Sequence, residues 1–300
     1  MQRKLVKQGQ NALTVTLPAK WLRGMSLNAG DEIFIDDGGK DLILSASDRE
    51  GVKNGSFNLD SASNDQIRSV LASAYKSGYD EIILNFNEQP PLQIINALIS
   101  TFTGLEVVSQ TKTSVVIKSF LRTEEKEVMN LVVKMFQILK LVAEMIEDDW
   151  NSVDFENIDQ LIKGNVRKLR DHCLRTIHVN KYGGDKSYDY YDFVTQLEKL
   201  GADLRSLAEY ASKNKPARSS VIKDIRAALD KCYECYLKND PVKANLFWIE
   251  HYRKRGHTIG FDMLKKLYKK DDPIIIGVYV TIMRRFTHIG SRLMSLTSKA

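Results

Sequence analysis

Hydrophobic positions along the chain change their period at about residues 50 and 123, and each change marks a change of architecture. From Leu5 to Leu44 the apolar residues come in short runs rich in β-formers: Leu5-Val6, Ala12 to Leu17, Ile33-Phe34-Ile35 and Leu42-Ile43-Leu44. Turn chemistry separates them at Gln8-Gly9-Gln10-Asn11, Gly30-Asp31 and Asp37-Gly38-Gly39. Pro18 opens a short helix, expected from Ala19 to Met25, because proline fits a first helical turn. Four short strands make a thin core, which predicts that this segment completes itself with a second copy.

Between residues 51 and 122 the pattern alternates between strand and helix. A strand is expected at Gly55 to Leu59. A helix follows the cap candidate Asn64, with Ile67, Val70, Leu71, Ala74 and Tyr75 at helical spacing, and Gly78 ends it. Glu81 to Phe86 reads as a strand, Leu92 to Thr101 as a helix after Pro90-Pro91, and Leu105 to Val108 with Ser114 to Ser119 as a closing hairpin. This βαβαββ order has no Gly-rich phosphate loop and no cluster of His, Asp or Glu, so a spacer or dimerisation role is expected. From residue 123 onward the period is helical. Val128, Leu131, Val132, Met135, Ile138, Leu139, Val142 and Ile146 form one apolar stripe. Further helices are expected over Phe155–Ile177, Tyr188–Lys213, Val221–Lys238, Val242–Tyr268 (with a break near Gly256 or Gly260) and Pro273–Ser298. Two helical triples of similar length suggest duplication. The fold class is multidomain α+β: a β domain at 1–50, an α/β module at 51–122 and a helical domain at 123–300.

Charge sharpens the first segment. Up to Gly30 its ionisable side chains are Arg3, Lys4, Lys7, Lys20 and Arg23, without an acid; from Asp31 to Asp48 six acids face Lys40 alone. Such polarity along a near-neutral segment can present one basic face to a phosphate backbone. The formal net charge of +6 arises within residues 123–300, where 31 Lys/Arg meet 25 Asp/Glu. The first ten residues lack the apolar stretch of a secretory signal, and no apolar run suits a membrane span. Three cysteines make no disulfide framework. A cytoplasmic location without membrane insertion is expected.

The basic first strand, Gly9 after Lys7, Thr14-Val15-Thr16-Leu17-Pro18, Lys20-Trp21-Leu22 and Leu27-Asn28-Ala29-Gly30-Asp31-Glu32-Ile33 together resemble the AbrB/MazE/SpoVT swapped-hairpin domain. That resemblance implies a homodimer with interlaced hairpins that grips double-stranded DNA. Arg3, Lys4, Lys7, Lys20 and Arg23 would contact phosphates, and Gln8, Gln10 and Asn11 would reach base edges or the sugar-phosphate backbone. Leu197-Glu198-Lys199-Leu200-Gly201, with a fainter echo in Phe286-Thr287-His288-Ile289-Gly290, resembles the PhoU family of phosphate-uptake regulators, built from two three-helix repeats. Lys238-Asn239-Asp240-Pro241 before Ala244 fits a hairpin of the second repeat. The series of domains is similar to archaeal PhoU-related regulators.

PhoU proteins hold metal clusters with paired acids on bundle helices. The corresponding positions here are Glu198 with Ala202 and Thr287 with Ser291, flanked by Arg284, Arg285 and Arg292, so no metal site or other cofactor is expected. Asp159 and Asp171 are the candidates on other helices. From His251 onward eleven Lys/Arg face three acids, which makes Arg253, Arg255, Arg284 and Arg285 candidate anion ligands, with a merely solvated face as the alternative. Cys232-x-x-Cys235 with His251 and His257 has zinc-finger spacing, but it falls on helices rather than on a β hairpin. Cys173, Trp150 and Trp248 are core candidates, and Tyr188, Tyr190, Tyr191 and Phe193 could stack bases or pack the bundle. No nucleophile–base pair points to an enzyme. The expected function is DNA-binding transcriptional regulation with phosphate uptake as the regulated process; the alternative is a cytoplasmic adaptor that does not bind DNA and acts on a phosphate transporter or its kinase by protein contacts.

Overall fold

The computed structural model describes residues 2–10, 12–37, 42–46, 53–121, 124, 126–255 and 269–298, without the side chains of residues 36, 37, 43 and 253–255. The chain divides into two units, residues 1–52 and 53–300. The first holds β1 (Val6–Gln8), β2 (Ala12–Thr14), α1 (Ala19–Gly24), β3 (Phe34–Asp37) and β4 (Leu42–Ser45). Its strands form two separate antiparallel pairs, with Lys7 opposite Leu13 and Ile35 opposite Leu44. Of the expected turn Asp37-Gly38-Gly39, Asp37 ends β3 and the two glycines lie outside the described residues.

In the second unit, β5 (Asn54–Asn58), α2 (Asn64–Lys76), β6 (Glu81–Asn85), α3 (Leu92–Ile99), β7 (Leu105–Gln110) and β8 (Ser114–Ser119) build a four-stranded sheet of order β5-β6-β8-β7. β5 and β6 are parallel, joined through α2; the other pairs are antiparallel. On the central strands Ile82 pairs with Ile117 and Leu84 with Val115, and all four are fully buried with Ile67, Leu71 and Tyr75 of α2 and Ile95 of α3. Ile83 and Val116, one residue out of phase, are only half-buried, as period-2 geometry requires. Ser63, one residue before the expected cap, starts α2: its hydroxyl accepts from Gln66 N at 3.3 Å while Gln66 Oε1 accepts from Ser63 N at 2.7 Å. Gly78 leaves the helix at φ +78°, a conformation that costs a side chain.

The helices are α4 (Glu127–Asp148), α5 (Phe155–Asp159), α6 (Arg167–Val179), α7 (Ser187–Asn214), α8 (Val221–Lys238), α9 (Pro241–Arg255) and α10 (Pro273–Thr297). The stripe on α4 is buried throughout, except that Ile138 sits at its edge. The second expected helix is not continuous in type: a π-helix, Gln160–Val166, separates α5 from α6. The expected helix beyond Arg255 falls on residues 256–268, outside the described residues. Gly201 and Gly290 mark close approaches. A Cβ on Gly201 would stand 3.0 Å from Leu139 Cδ2 and 3.2 Å from Ile162 Cδ1; on Gly290 it would stand 3.1 Å from Phe247 Cδ1 and 3.2 Å from Trp248 Cα.

Sheet and helices are joined through Arg175 of α6. Its buried guanidinium donates to Tyr75 O at 3.0 Å, Tyr79 O at 2.8 Å and Asp80 Oδ1 at 2.8 Å, and lies over the Tyr75 ring. Tyr75 O, which also accepts from Gly78 N at 3.0 Å, thereby gains a second donor, and Tyr79 O, in the turn after α2, gains one as well.

Candidate nucleic-acid interface

The hairpin β1–β2 turns at Gly9, φ +76°, and Thr14 Oγ1 ties back to Val6 O at 3.2 Å. Cross-strand partners share a face, so Lys7 projects on the side of Leu13, whereas Gln8 projects with Ala12 on the other. These two candidates therefore do not address one surface of a single hairpin. Arg3 and Lys4 precede β1, and Gln10 lies in the turn; all are exposed. Asn11 lies outside the described residues. Lys20 and Arg23, three residues apart on α1, share one side of that helix and are exposed, while Trp21 and Leu22 are half-buried. After α1, Asp31 Oδ2 accepts from Asn28 N at 2.6 Å and fixes the turn into β3. That acid is engaged in the backbone. Among the described residues, Arg3, Lys4, Lys7, Lys20 and Arg23 have no carboxylate partner.

The same unit has no buried residue among those described. Leu5, Leu13, Ile35 and Leu42 are each more than 60% exposed, and Val6 and Val15 about half. Strands with this much apolar surface are stable only when something covers it.

The candidate anion ligands of the second unit are placed differently. Arg285 donates to Asp203 at 3.1 Å and Gln196 at 3.2 Å; Arg292 donates to Asp192 at 2.6 Å and Asp189 at 2.9 Å. Their order shows that α7 and α10 run antiparallel. Burial raises Asp203 above the ordinary carboxylate range against the pull of Arg285. Burial also works to raise Asp192, but hydrogen bonds from Gln196 and Arg292 outweigh it and hold that acid low. Arg285, expected as a candidate anion ligand, is thus already paired with an acid. Arg284 is exposed; the side chains of Arg253 and Arg255 lie outside the described residues. Sequence spacing offers the α7 acids to a metal as readily as to an arginine, and only the pairing with α10 decides between them.

Glu198 stands 3.8 Å from Arg167, Asp159 binds Arg205 and Lys163, and Asp171 is buried 3.0 Å from Arg170. Among the described residues no group of three or more His, Cys, Asp or Glu could hold a metal ion. Burial pushes the Cys232 and Cys235 thiols up, away from the thiolate that zinc needs, and His251 Nδ1 lies 2.8 Å from Phe247 O in its own helix. His257 is outside the described residues. Cys173, Trp150 and Phe193 are buried; Trp248 is half-buried and stacks on Tyr252; Tyr190 and Tyr191 are half-buried, and Tyr188 is exposed beneath Arg292.

The family model of antidote-toxin recognition MazE, bacterial antitoxin, matches residues 6–51. Residues 6–51 are a MazE/AbrB-like domain. The match covers nearly all of the first unit and none of the second. No significant match was found among curated proteins or among solved structures. Among the described residues no helix is long and apolar enough to cross a membrane. The MazE/AbrB-like domain thus combines unneutralised cations with uncovered apolar strands.

Proposed function

We propose that the protein is a dimeric DNA-binding regulator whose MazE/AbrB-like domain, completed by a second copy, binds duplex DNA. The observation that carries this reading is the contrast in pairing: Arg3, Lys4, Lys7, Lys20 and Arg23 stand exposed without a carboxylate, while Arg285 and Arg292 are neutralised. Domains of this type typically form dimers and bind DNA. A dimer would bury the apolar strands and bring ten cations together, releasing counterions when they meet phosphate. It would also place Lys7 and Gln8, on opposite faces of one hairpin, within a composite surface.

The helical region would sense a ligand or dock a partner. Its PhoU-like reading rests on sequence resemblance and on the close helix approaches at Gly201, which faces the first and second helices of its triple, and at Gly290, which faces the second helix of its own. A role in phosphate uptake rests on the resemblance alone. A second reading, recognition of a toxin protein, follows from the description of the matched family.

Fluorescence anisotropy with a labelled duplex at low salt tests the main reading. Wild type should bind, and the variant K7A/K20A/R23A should lose at least about tenfold in affinity. Wild type that ignores duplex DNA in dilute buffer would overturn the reading in favour of protein recognition.

A further inference from the structure

A cleft of about 340 Å³ opens between α4 and α6, with Thr103 of the turn after α3 at its rim. Its volume falls in the lower range of small-molecule sites, roughly 300–1,000 Å³. Lys134 of α4 and Lys168 of α6 both line it, and no acid does. Neither lysine has a carboxylate partner among the described residues, whereas Arg175, Arg205, Arg226, Arg285 and Arg292 do. Lys168 is held in place by Ser100 O at 3.1 Å, a neutral acceptor that leaves its charge uncompensated. Lys134 is exposed and carries no ion pair among the described residues.

Local backbone contributes as well. The π-helix Gln160–Val166 ends one residue before α6 and carries Asn165 on the cleft wall; such widened turns recur at functional sites. Ile138 and Leu169 add an apolar lining. Two ammonium groups, an amide donor and apolar side chains in one cleft suit a ligand with an anionic end and a hydrocarbon body.

We infer that this cleft binds a small organic anion, a carboxylate or phosphate monoester, between Lys134 and Lys168. Every residue of the site belongs to the second unit, so the inference stands independently of DNA binding. An occupant would brace the sheet, through Thr103, against α4 and α6.

Isothermal titration calorimetry on the full chain at low salt tests it, with succinate, glycerol 3-phosphate and inorganic phosphate as probes. At least one organic anion should bind with one site per chain, and K134A and K168A should each weaken it by at least about tenfold. K213A, which removes a lysine already paired with Glu209, should bind as wild type does. Lys134 makes no hydrogen bond, so K134A keeps the fold, and an unchanged melting temperature verifies this. Absence of saturable binding by both organic anions, unchanged affinity in K134A, or inorganic phosphate binding as tightly as either organic anion would overturn the inference.

Discussion

Single side chains in this protein act through what burial does to their charge. His172 is 9% exposed, and burial lowers its pKa below the ordinary 6.5 despite Glu127 at 3.6 Å. His178 is lowered for the same reason. The folded state therefore binds fewer protons than the unfolded chain below about pH 6.5, and the histidine contribution is present above that value and lost as pH falls towards the folded pKa. Asp171 has the opposite sign: burial raises it, so its contribution is lost as pH rises from 3.8 through the raised value. Melting temperature should fall as pH drops from 7.5 to about 5.5, and H172Q should flatten that fall. An unchanged slope in H172Q would assign the effect elsewhere. Arg175 gives a larger test. R175M would leave Tyr79 O and Asp80 Oδ1 without this donor and cost about 3 kcal/mol in urea unfolding. Nothing in the local sequence marks this arginine among its neighbours Arg167 and Arg170. Its role comes from Tyr75, Tyr79 and Asp80, some hundred residues away.

At the scale of elements, helices were legible because their apolar stripes are long, and strands because turn residues bracket them. The π-helix was not, since Gln160–Val166 keeps an ordinary helical composition and the extra residue per turn answers to packing. The two helix–helix contacts at glycine differ in a way that spacing could not reveal. Gly201 faces the ends of Leu139 and Ile162, which can shift, while Gly290 faces the backbone of Trp248, which cannot. G201A should be near neutral, because alanine recovers up to about 1 kcal/mol of helix propensity. G290A should cost about 1–2 kcal/mol. Equal costs in thermal unfolding would contradict this ranking. The α7–α10 pair makes another prediction. Since Asp203 already neutralises Arg285, R284A/R285A should change duplex affinity less than about twofold, far below the loss in K7A/K20A/R23A.

For the whole molecule, affinity for DNA should depend steeply on salt. Ten cations in a dimer, about half of them engaged, give a slope of log K on log salt of about −4 to −5. Sedimentation of the full chain should show a dimer, and L13D, which places a charge on an apolar strand face, should shift it to monomer. The sequence by itself determined most of the order of elements and the basic character of the first thirty residues, and its scant apolar material there raised the expectation of a partner, because these follow from local pattern. It could not determine which charges remain unpaired. Asp189, Asp192 and Asp203 are equally good ligands for a metal or an arginine until α10 is laid antiparallel to them, and Lys134 and Lys168 share a cleft only because α4 packs on α6. Pairing of charges distant in sequence is a property of tertiary proximity, and the Coulomb term that decides it falls with a distance that the chain order does not contain.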